Sequence, residues 1–274
     1  MRIISWNING IKAHFDALQQ LVNSYEPDIL CLQKVKSSKG LEAFPIKDYK
    51  PFDISTYRSQ YYGVGTYYRN LAFPLMNFPH GLAAEGHFQA FRLGDYHPVI
   101  FNIYTPFSNP QDPKFIEARK QWDKYLILFA KDIASYSPLI MCGDFNVVRE
   151  SYDTWTHNCN KNRPCFYDWE QRNFSELLRQ CDLVDAFREL HPQEMKFTYF
   201  DSKGDYRVTN QGERIDYFII SRALLPFVSR CDIIEDITAF NSNPIILDID
   251  LGVAATPPVF RVSSLWSRPF RFNL

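Results

Sequence analysis

Three elements in the first 33 residues constrain the fold more than any other part of the chain. Apolar runs predict buried strands over Arg2–Asn7 and Ile29–Gln33. Between them, apolar side chains recur every three or four residues, which predicts an amphipathic helix with Ile11, Phe15, Leu18, Val22 and Tyr25 on its buried face. The dipeptide Glu26-Pro27 is expected to end that helix. A strand, a helix and a second strand in succession indicate an α/β architecture.

The stretch from Pro138 to Val148, PLIMCGDFNVV, predicts another buried strand. It places Asp144 and Asn146 at its carboxyl end, which is where open α/β sheets bind ligands. A carboxylate and an amide two residues apart offer a hard oxygen ligand and a hydrogen-bond donor to a phosphate. The alternative is a strand followed by a simple turn, since Gly, Asp and Asn are common turn formers.

The remaining periodicity predicts two further helices and several short strands. The helices are expected over residues 114–134 and 169–180, and a polar loop over 149–168. The predicted strands cover residues 63–68, 87–93, 98–104, 197–200, 214–220, 229–233 and 244–251. Each half of the chain thus combines strands with a long amphipathic helix, which predicts two packed sheets with helices outside.

The overall composition, 46% hydrophobic and 22% charged, is typical of a globular protein. The formal net charge of -1 gives no general attraction to nucleic acid, so such binding would need a local basic patch. No apolar run approaches the roughly 18 to 20 residues of a membrane-spanning helix, and the amino terminus does not resemble a signal peptide. The six cysteines form no CxxC pair. We therefore expect a cytoplasmic protein with reduced thiols and no membrane association.

The last 23 residues differ from the rest because they contain no acidic residue. Arginine and aromatic side chains alternate there, namely Phe260, Arg261, Trp266, Arg268, Phe270, Arg271 and Phe272. Such a pattern can stack on bases and pair with phosphates. We accordingly divide the chain into a domain over residues 1–251 and a basic aromatic tail over residues 252–274. Two roles stay open for the tail: binding a nucleic-acid or protein partner, or packing back onto the domain.

Six motifs occur in order along the domain: ISWNINGIKA (4–13), PDILCLQ (27–33), NIYTP (102–106), GDFNVV (143–148), the stretch 166–192 and RIDYFIIS (214–221). Together they closely resemble the exonuclease III and abasic-site endonuclease family, part of the endonuclease/exonuclease/phosphatase superfamily with the DNase I-like fold. The resemblance spans residues 1–251. It implies a four-layered α/β sandwich with a magnesium-dependent phosphodiesterase site at one edge of the paired sheets.

The same resemblance assigns catalytic roles to five retained residues. Asn7 matches the family's asparagine on the metal and phosphate side, and Tyr104 matches its active-site tyrosine. Asp144 matches the aspartate that handles the attacking water, and Asn146 the asparagine that stabilises the transition state. Asp216 matches an inner carboxylate. These five positions alone would indicate a nuclease.

Three other family positions are substituted. Lys34 stands in place of the principal metal-binding glutamate, while Asn241 and Ser242 stand in place of the family's aspartate and catalytic histidine. Magnesium is held by one or two carboxylates, so losing the main one leaves little affinity. Serine cannot carry a proton near neutral pH as histidine does. We therefore expect no bound metal; if a metal does bind, Asp144 and Asp216 are its ligands.

Replacing glutamate by lysine shifts the local charge by two positive units, the charge of one magnesium ion. Our hypothesis is that Lys34 reaches between Asp144 and Asp216 as a built-in cation. The alternative is a surface lysine at a strand end. His87 and His157 are the two candidate replacements for the missing histidine, and both are expected to be ordinary polar surface residues.

Three functions remain in view. The main prediction is a protein with an inactive phosphodiesterase site that binds DNA or RNA through the face of that site, or a protein through its tail. The first alternative is an active exodeoxyribonuclease or abasic-site endonuclease that uses magnesium or manganese in DNA repair. The second alternative is a phosphodiesterase or phosphatase acting on a different substrate.

Overall fold

The computed structural model describes residues 1–55, 63–69, 75–77, 86–93, 98–156, 162–202, 204–237 and 241–252. Almost all of the predicted tail, residues 253–274, lies outside the described residues. The predicted roles of the tail therefore stay predictions. Among the described residues, no helix is both long enough and apolar enough to cross a bilayer.

The described strands are β1 (Arg2–Asn7), β2 (Ile29–Gln33), β3 (Lys50–Ser55), β4 (Val64–Tyr68), β5 (Leu75–Asn77), β6 (Phe88–Leu93), β7 (Val99–Tyr104), β8 (Leu139–Asp144), β9 (Leu183–Asp185), β10 (Asp216–Ser221), β11 (Val228–Ile233) and β12 (Ile245–Ile249). The α-helices are α1 (Phe15–Tyr25), α2 (Pro113–Ala134), α3 (Asp168–Gln180) and α4 (Ala186–Leu190). The Asp112 side chain caps α2 by accepting a hydrogen bond from the Lys114 amide, and Pro113 occupies the first turn.

The strands form two six-stranded sheets. One has the order β11-β12-β1-β2-β4-β3, and the other has the order β5-β6-β7-β8-β10-β9. Each contains one parallel pair, β1 with β2 and β7 with β8, among antiparallel neighbours. The predicted pair of mixed sheets is confirmed.

The hydrophobic core lies in three layers. Between the sheets, side chains such as Ile29 and Leu247 from one sheet pack with Ile140 and Phe218 from the other. Outside the first sheet, α1 covers an apolar cluster that includes Trp6. Outside the second sheet, α2 and α3 cover another cluster, which includes Phe101, Phe129 and Phe174. The four-layered α/β sandwich of the DNase I-like fold is thereby confirmed.

Several buried polar contacts join the two sheets, and one of them is centred on Gln33. The side-chain amide of Gln33, at the end of β2, donates to the side-chain oxygen of Asn102 in β7 over 2.8 Å. Gln33 also donates to Ser5 Oγ, and Asn102 donates to the carbonyl of Gly65. Buried amides need such partners, so these contacts help to fix how the two sheets are placed. They bring the residues after Gln33 close to the end of β7.

Several predicted boundaries differ from the structure. The first helix begins at Phe15, because Ile11 lies in the turn before it. The strand predicted over residues 197–200 is wrong: Thr198 lies in a bend, and Tyr199 makes only isolated bridges, to Glu213 and Ser242. The sequence pattern also missed the short elements β3, β5, β9 and α4. Three of them are too short to show a period of their own, and β3, KPFDIS, was missed because proline and charged residues interrupt its apolar pattern.

Candidate functional site

The site lies where several strands of both sheets end. In the parallel pair of β1 and β2, Asn7 is the partner of Gln33, and Lys34 follows directly. In the parallel pair of β7 and β8, Tyr104 is the partner of Asp144. Because parallel strands end at the same edge, all these side chains meet there.

A cavity of about 580 Å³ opens at this edge. Seven of the eight positions singled out from the sequence line it: Asn7, Lys34, Tyr104, Asp144, Asn146, Asn241 and Ser242. The eighth, Asp216, begins β10 as the direct partner of Asp144. The structure thus brings the retained and the substituted positions together in one place. Their catalytic roles stay predictions.

Asp144 is buried and held by two neighbours. Its Oδ2 accepts from the Asn7 side-chain amide over 2.8 Å, and its Oδ1 accepts from the Asn146 backbone amide over 2.9 Å. Burial raises the pKa of Asp144, while Lys34 and the two hydrogen bonds oppose that rise. The carboxylate is therefore fixed in orientation and depends on a nearby positive charge.

Gly143 allows β7 and β8 to approach closely just before Asp144. Its φ is +132°, and a Cβ there would lie 1.9 Å from the carbonyl oxygen of Ile103. No other residue type fits that space without moving β7. The glycine in GDFN therefore has a packing role in addition to its turn-forming tendency.

Arg119, which was not singled out from the sequence, holds the loop after β8. It is buried in α2 and donates to the carbonyls of Phe145, Asn146 and Pro106 at 3.1 to 3.2 Å. Its charge is paired with Asp123 at 2.8 Å. The Asn146 side chain in turn donates to the Thr105 carbonyl over 2.7 Å. Arg119 lies on the same helix face as apolar core residues, so its spacing alone did not reveal this role.

Asp216 is buried beside Asp144. Burial raises its pKa well above the usual value, and the negative charge of Asp144 raises it further. The Asp216 Oδ1 atom has no hydrogen-bond partner among the described residues. Nearby, Arg214 is buried outside the cavity and pairs with Asp185 at 2.6 Å and Asp153 at 2.8 Å. Arg214 therefore stabilises the start of β10 from outside the cavity.

Lys34 is partly buried and extends into the cavity. Its Nζ lies 4.7 Å from the centroid of the Tyr104 ring, within the range of a cation–π contact. Burial lowers the pKa of Lys34, but Tyr104, Asp144 and Asp216 outweigh that effect, so the pKa lies above its usual value. No carboxylate oxygen of a described residue comes within 4.0 Å of the ammonium. Lys34 thus offsets the negative charge of Asp144 and Asp216 without contacting them, and its ammonium contacts the Tyr104 ring directly.

The expectation that His87 is a surface residue is wrong. The side chain is 2% exposed and stacks on Tyr104 with ring centroids 5.0 Å apart. Its Nδ1 lies 2.7 Å from the Tyr104 carbonyl, so a neutral ring donates from this nitrogen. Burial, together with the positive charge of Lys34, lowers the pKa of His87 to about 4. His157 lies outside the described residues.

Asn241 and Ser242 also line the cavity. The Asn241 carbonyl accepts from the Phe200 amide over 2.8 Å, and Ser242 forms an isolated bridge to Tyr199. Ser242 is buried, and its Oγ has no hydrogen-bond partner in the described part of the chain. Neither residue can replace a histidine as a proton carrier near neutral pH.

Other lining residues were not predicted, among them Phe107, Trp155, Arg163 and Glu213. Arg163 pairs with Glu213 and lies over the Phe166 ring, 3.7 Å from its centroid. Phe107 and Trp155 are exposed by 44% and 43% respectively. The sequence around both residues is typical of a polar loop. The one signal that could have identified Trp155 is a single aromatic side chain within a polar segment.

Comparison with known proteins identifies this arrangement. Residues 4–242 match a model of the Endonuclease/Exonuclease/phosphatase family. The chain belongs to this family. Within it, the Bacillus subtilis (strain 168) exodeoxyribonuclease is 28% identical over 257 residues, covering 92% of this chain and 100% of the relative. The DNA repair nuclease APEX1 of Danio rerio is 29% identical over 262 residues, covering 92% and 83%.

A solved structure shows the same fold. The AP endonuclease LMAP from Leishmania major superimposes with a TM-score of 0.80 at 22% identity, covering 90% of this chain and 86% of that one. The predicted membership in the exonuclease III and abasic-site endonuclease family is confirmed.

The residues of this Endonuclease/Exonuclease/phosphatase family member do not fit the magnesium ion that the family implies. Lys34 brings an ammonium where the family has a carboxylate, and like charge repels a cation. Among the described residues, no three His, Cys, Asp or Glu side chains form a group that could hold a metal ion. Magnesium requires oxygen ligands, and Asp144 already accepts two hydrogen bonds.

Proposed function

We propose that this family member binds DNA through the cavity at its strand ends without hydrolysing it by the metal-dependent route. The observation that carries the proposal is the position of Lys34, whose ammonium lies over Tyr104 inside the cavity. A lysine there supplies a positive charge to a phosphate without a metal ion. The named activities of the relatives, an exodeoxyribonuclease and a DNA repair nuclease, support DNA as the ligand.

The substituted positions support the loss of hydrolysis. In-line attack by water on a phosphodiester needs a base or oriented water and a positive charge at the developing oxyanion. Asp144 is in place, but Asn241 and Ser242 supply no proton carrier beside it. Removing one such group typically costs about 100-fold or more in rate, and several losses in one site leave little activity.

A second candidate is a metal-dependent exodeoxyribonuclease or abasic-site endonuclease. The activities named for the relatives favour it. Two buried oxygens, Asn7 Oδ1 and Asp216 Oδ1, also favour it, because neither has a hydrogen-bond partner among the described residues. Such oxygens are suitable ligands for a hard cation.

One experiment separates the two candidates. Duplex DNA with one abasic site is incubated with the protein in magnesium, in manganese and in EDTA, and both binding and cleavage are measured. The matched variant is the triple reversion Lys34→Glu, Asn241→Asp, Ser242→His. We expect the unaltered protein to bind in EDTA without cleaving under any condition, and cleavage to appear in the reversion. Metal-dependent cleavage by the unaltered protein would establish the second candidate.

Lys34→Met tests the binding mode itself. Removing the ammonium is expected to weaken DNA binding in EDTA by about tenfold, as loss of a phosphate contact does. Lys39→Met is the control, since Lys39 is exposed and does not line the cavity. Equal effects of the two substitutions would refute binding at this site.

A further inference from the structure

Three contacts join His87 to Tyr104 at the end of the β6–β7 pair. The Tyr104 amide donates to the His87 carbonyl over 2.8 Å, which continues the ladder beyond the pairing of Phe88 with Ile103. In the other direction, the His87 Nδ1 atom lies 2.7 Å from the Tyr104 carbonyl. The imidazole ring also stacks on the phenol ring, with an angle of 13° between the two planes. His87 therefore restrains both the backbone and the ring of Tyr104.

Packing against a second ring fixes the imidazole itself. The Trp122 indole, which is buried in α2, lies with its centroid 5.8 Å from that of the His87 ring. A side chain packed against two buried rings changes its rotamer only at the cost of those contacts. The Tyr104 ring thus rests on a rigid support.

Lys34 depends on the Tyr104 ring for its position. The ammonium is carried on a flexible four-carbon chain, so the backbone alone does not fix where it lies. Among the described residues, no carboxylate oxygen lies within 4.0 Å of Nζ, whereas the centroid of the Tyr104 ring lies 4.7 Å away. A cation–π contact requires the cation to lie over the ring face, within about 6 Å of the centroid. A tilt of the Tyr104 ring would therefore displace the ammonium.

The charge state of His87 suits this arrangement. Burial and the positive charge of Lys34 both lower the pKa of His87, so the imidazole is neutral at neutral pH. A neutral imidazole presents a flat face to Tyr104 without adding a second positive charge near the ring. A cationic side chain at position 87 would repel the ammonium of Lys34.

We propose that His87 is a positioning residue, which holds the Tyr104 ring in the orientation that places the Lys34 ammonium for phosphate binding. This inference rests on the proposed DNA binding, because it names the residue that keeps the binding cation in place. His87 does not line the cavity. Its effect on affinity should therefore pass through Tyr104 and Lys34.

A double-mutant cycle on DNA binding tests this route. Fluorescence anisotropy with the abasic-site duplex in EDTA compares four proteins: the unaltered protein, Lys34→Met, His87→Leu and the double variant. His87→Leu keeps a side chain of similar size but removes the flat ring. We expect Lys34→Met to weaken binding about tenfold in the unaltered protein and by less than about threefold in the His87→Leu background. A tenfold effect in both backgrounds would overturn the inference.

Two matched variants separate positioning from a general loss of packing. His87→Phe restores a flat ring at position 87, so Lys34→Met should again weaken binding about tenfold. Phe101→Leu removes a buried ring from the same strand as Tyr104, one that stacks on Phe129. It should lower stability and leave the effect of Lys34→Met unchanged; a smaller effect there would contradict a specific role of His87. His87→Ala takes the place of His87→Leu if the latter does not fold.

An NMR measurement without DNA separates this inference from the proposed function. Protons over an aromatic face are shifted upfield by the ring current. The Lys34 CεH2 protons, assigned by their absence in Lys34→Met, should therefore resonate upfield of other lysines. This shift should shrink in His87→Leu and persist in His87→Phe; an unchanged shift in His87→Leu would refute the positioning role. If the proposed function alone fails, this NMR pattern appears while Lys34→Met leaves DNA binding unchanged.

Discussion

Asp144 and Asp216 are direct partners in the antiparallel pairing of β8 and β10. Both carboxyl groups are buried, and each raises the cost of charge on the other. In the family, a bound metal ion offsets such crowding; here Lys34 lies in the same cavity. The stability of the fold should therefore depend on which charge stands at position 34.

Lys34→Glu should make folding depend on a divalent cation. The substitution places a third carboxylate beside the buried Asp144 and Asp216. Uncompensated buried charge of this kind typically lowers the free energy of unfolding by about 3 kcal/mol. In urea denaturation with EDTA, we expect the variant to unfold at lower urea than the unaltered protein. Magnesium should restore part of the loss in the variant and leave the unaltered protein unchanged. Lys39→Glu, with the same change in net charge outside the cavity, should show neither effect.

His87 should make the protein less stable in mild acid. Its pKa falls from 6.5 to about 4 on folding, so below pH 6.5 the unfolded chain binds a proton that the folded one does not. Its contribution to stability is therefore complete above about pH 6.5 and is lost as the pH falls toward 4, by up to about 3 kcal/mol.

The His87→Gln variant isolates this contribution. Asp144 and Asp216, whose pKa values are raised, act in the opposite sense over the same range, so the absolute profile of either protein mixes several groups. The difference in unfolding free energy between the unaltered protein and the variant should shrink as the pH is lowered from about 7 to about 4. A difference independent of pH would show that His87 contributes packing alone.

Arg119→Met should destabilise the protein by about 3 to 5 kcal/mol. The substitution leaves Asp123 buried without its partner and removes donors from the carbonyls of Phe145 and Asn146. Urea denaturation measures the loss. The control is Arg179→Met on the surface of α3, where the pair with Glu176 is exposed and the change should be far smaller than that of Arg119→Met.

Gly143→Ala should lower the unfolding free energy by at least about 2 kcal/mol. The new methyl group would overlap the Ile103 carbonyl oxygen, and the backbone at +132° is also strained for alanine. Gly40→Ala serves as the comparison, since its φ is also positive, +72°, but no atom lies within 4 Å of the added methyl. Thermal melting of both variants separates the effect of steric overlap with Ile103 from the effect of backbone strain at a positive φ. Equal losses would mean that the close approach of β7 and β8 contributes nothing.

Much of the architecture was determined by the sequence alone. The buried strands β1, β2 and β8 and the helix α2 follow from apolar runs and three-to-four residue spacing, both of which reflect contacts within one element. The motifs around Asn7 and Asp144 predicted which strand ends carry the site. The three substitutions at Lys34, Asn241 and Ser242 were also visible as residue types at motif positions.

Only the tertiary structure decided how these residues act on one another. The Gln33–Asn102 contact between the sheets brings Lys34 over Tyr104, although the two are far apart in the chain. Packing against Tyr104 likewise turns His87 from an expected surface residue into a buried neutral one. Local periodicity carries information about one element's own faces, whereas the distance between charges on different sheets is set by how the sheets pack.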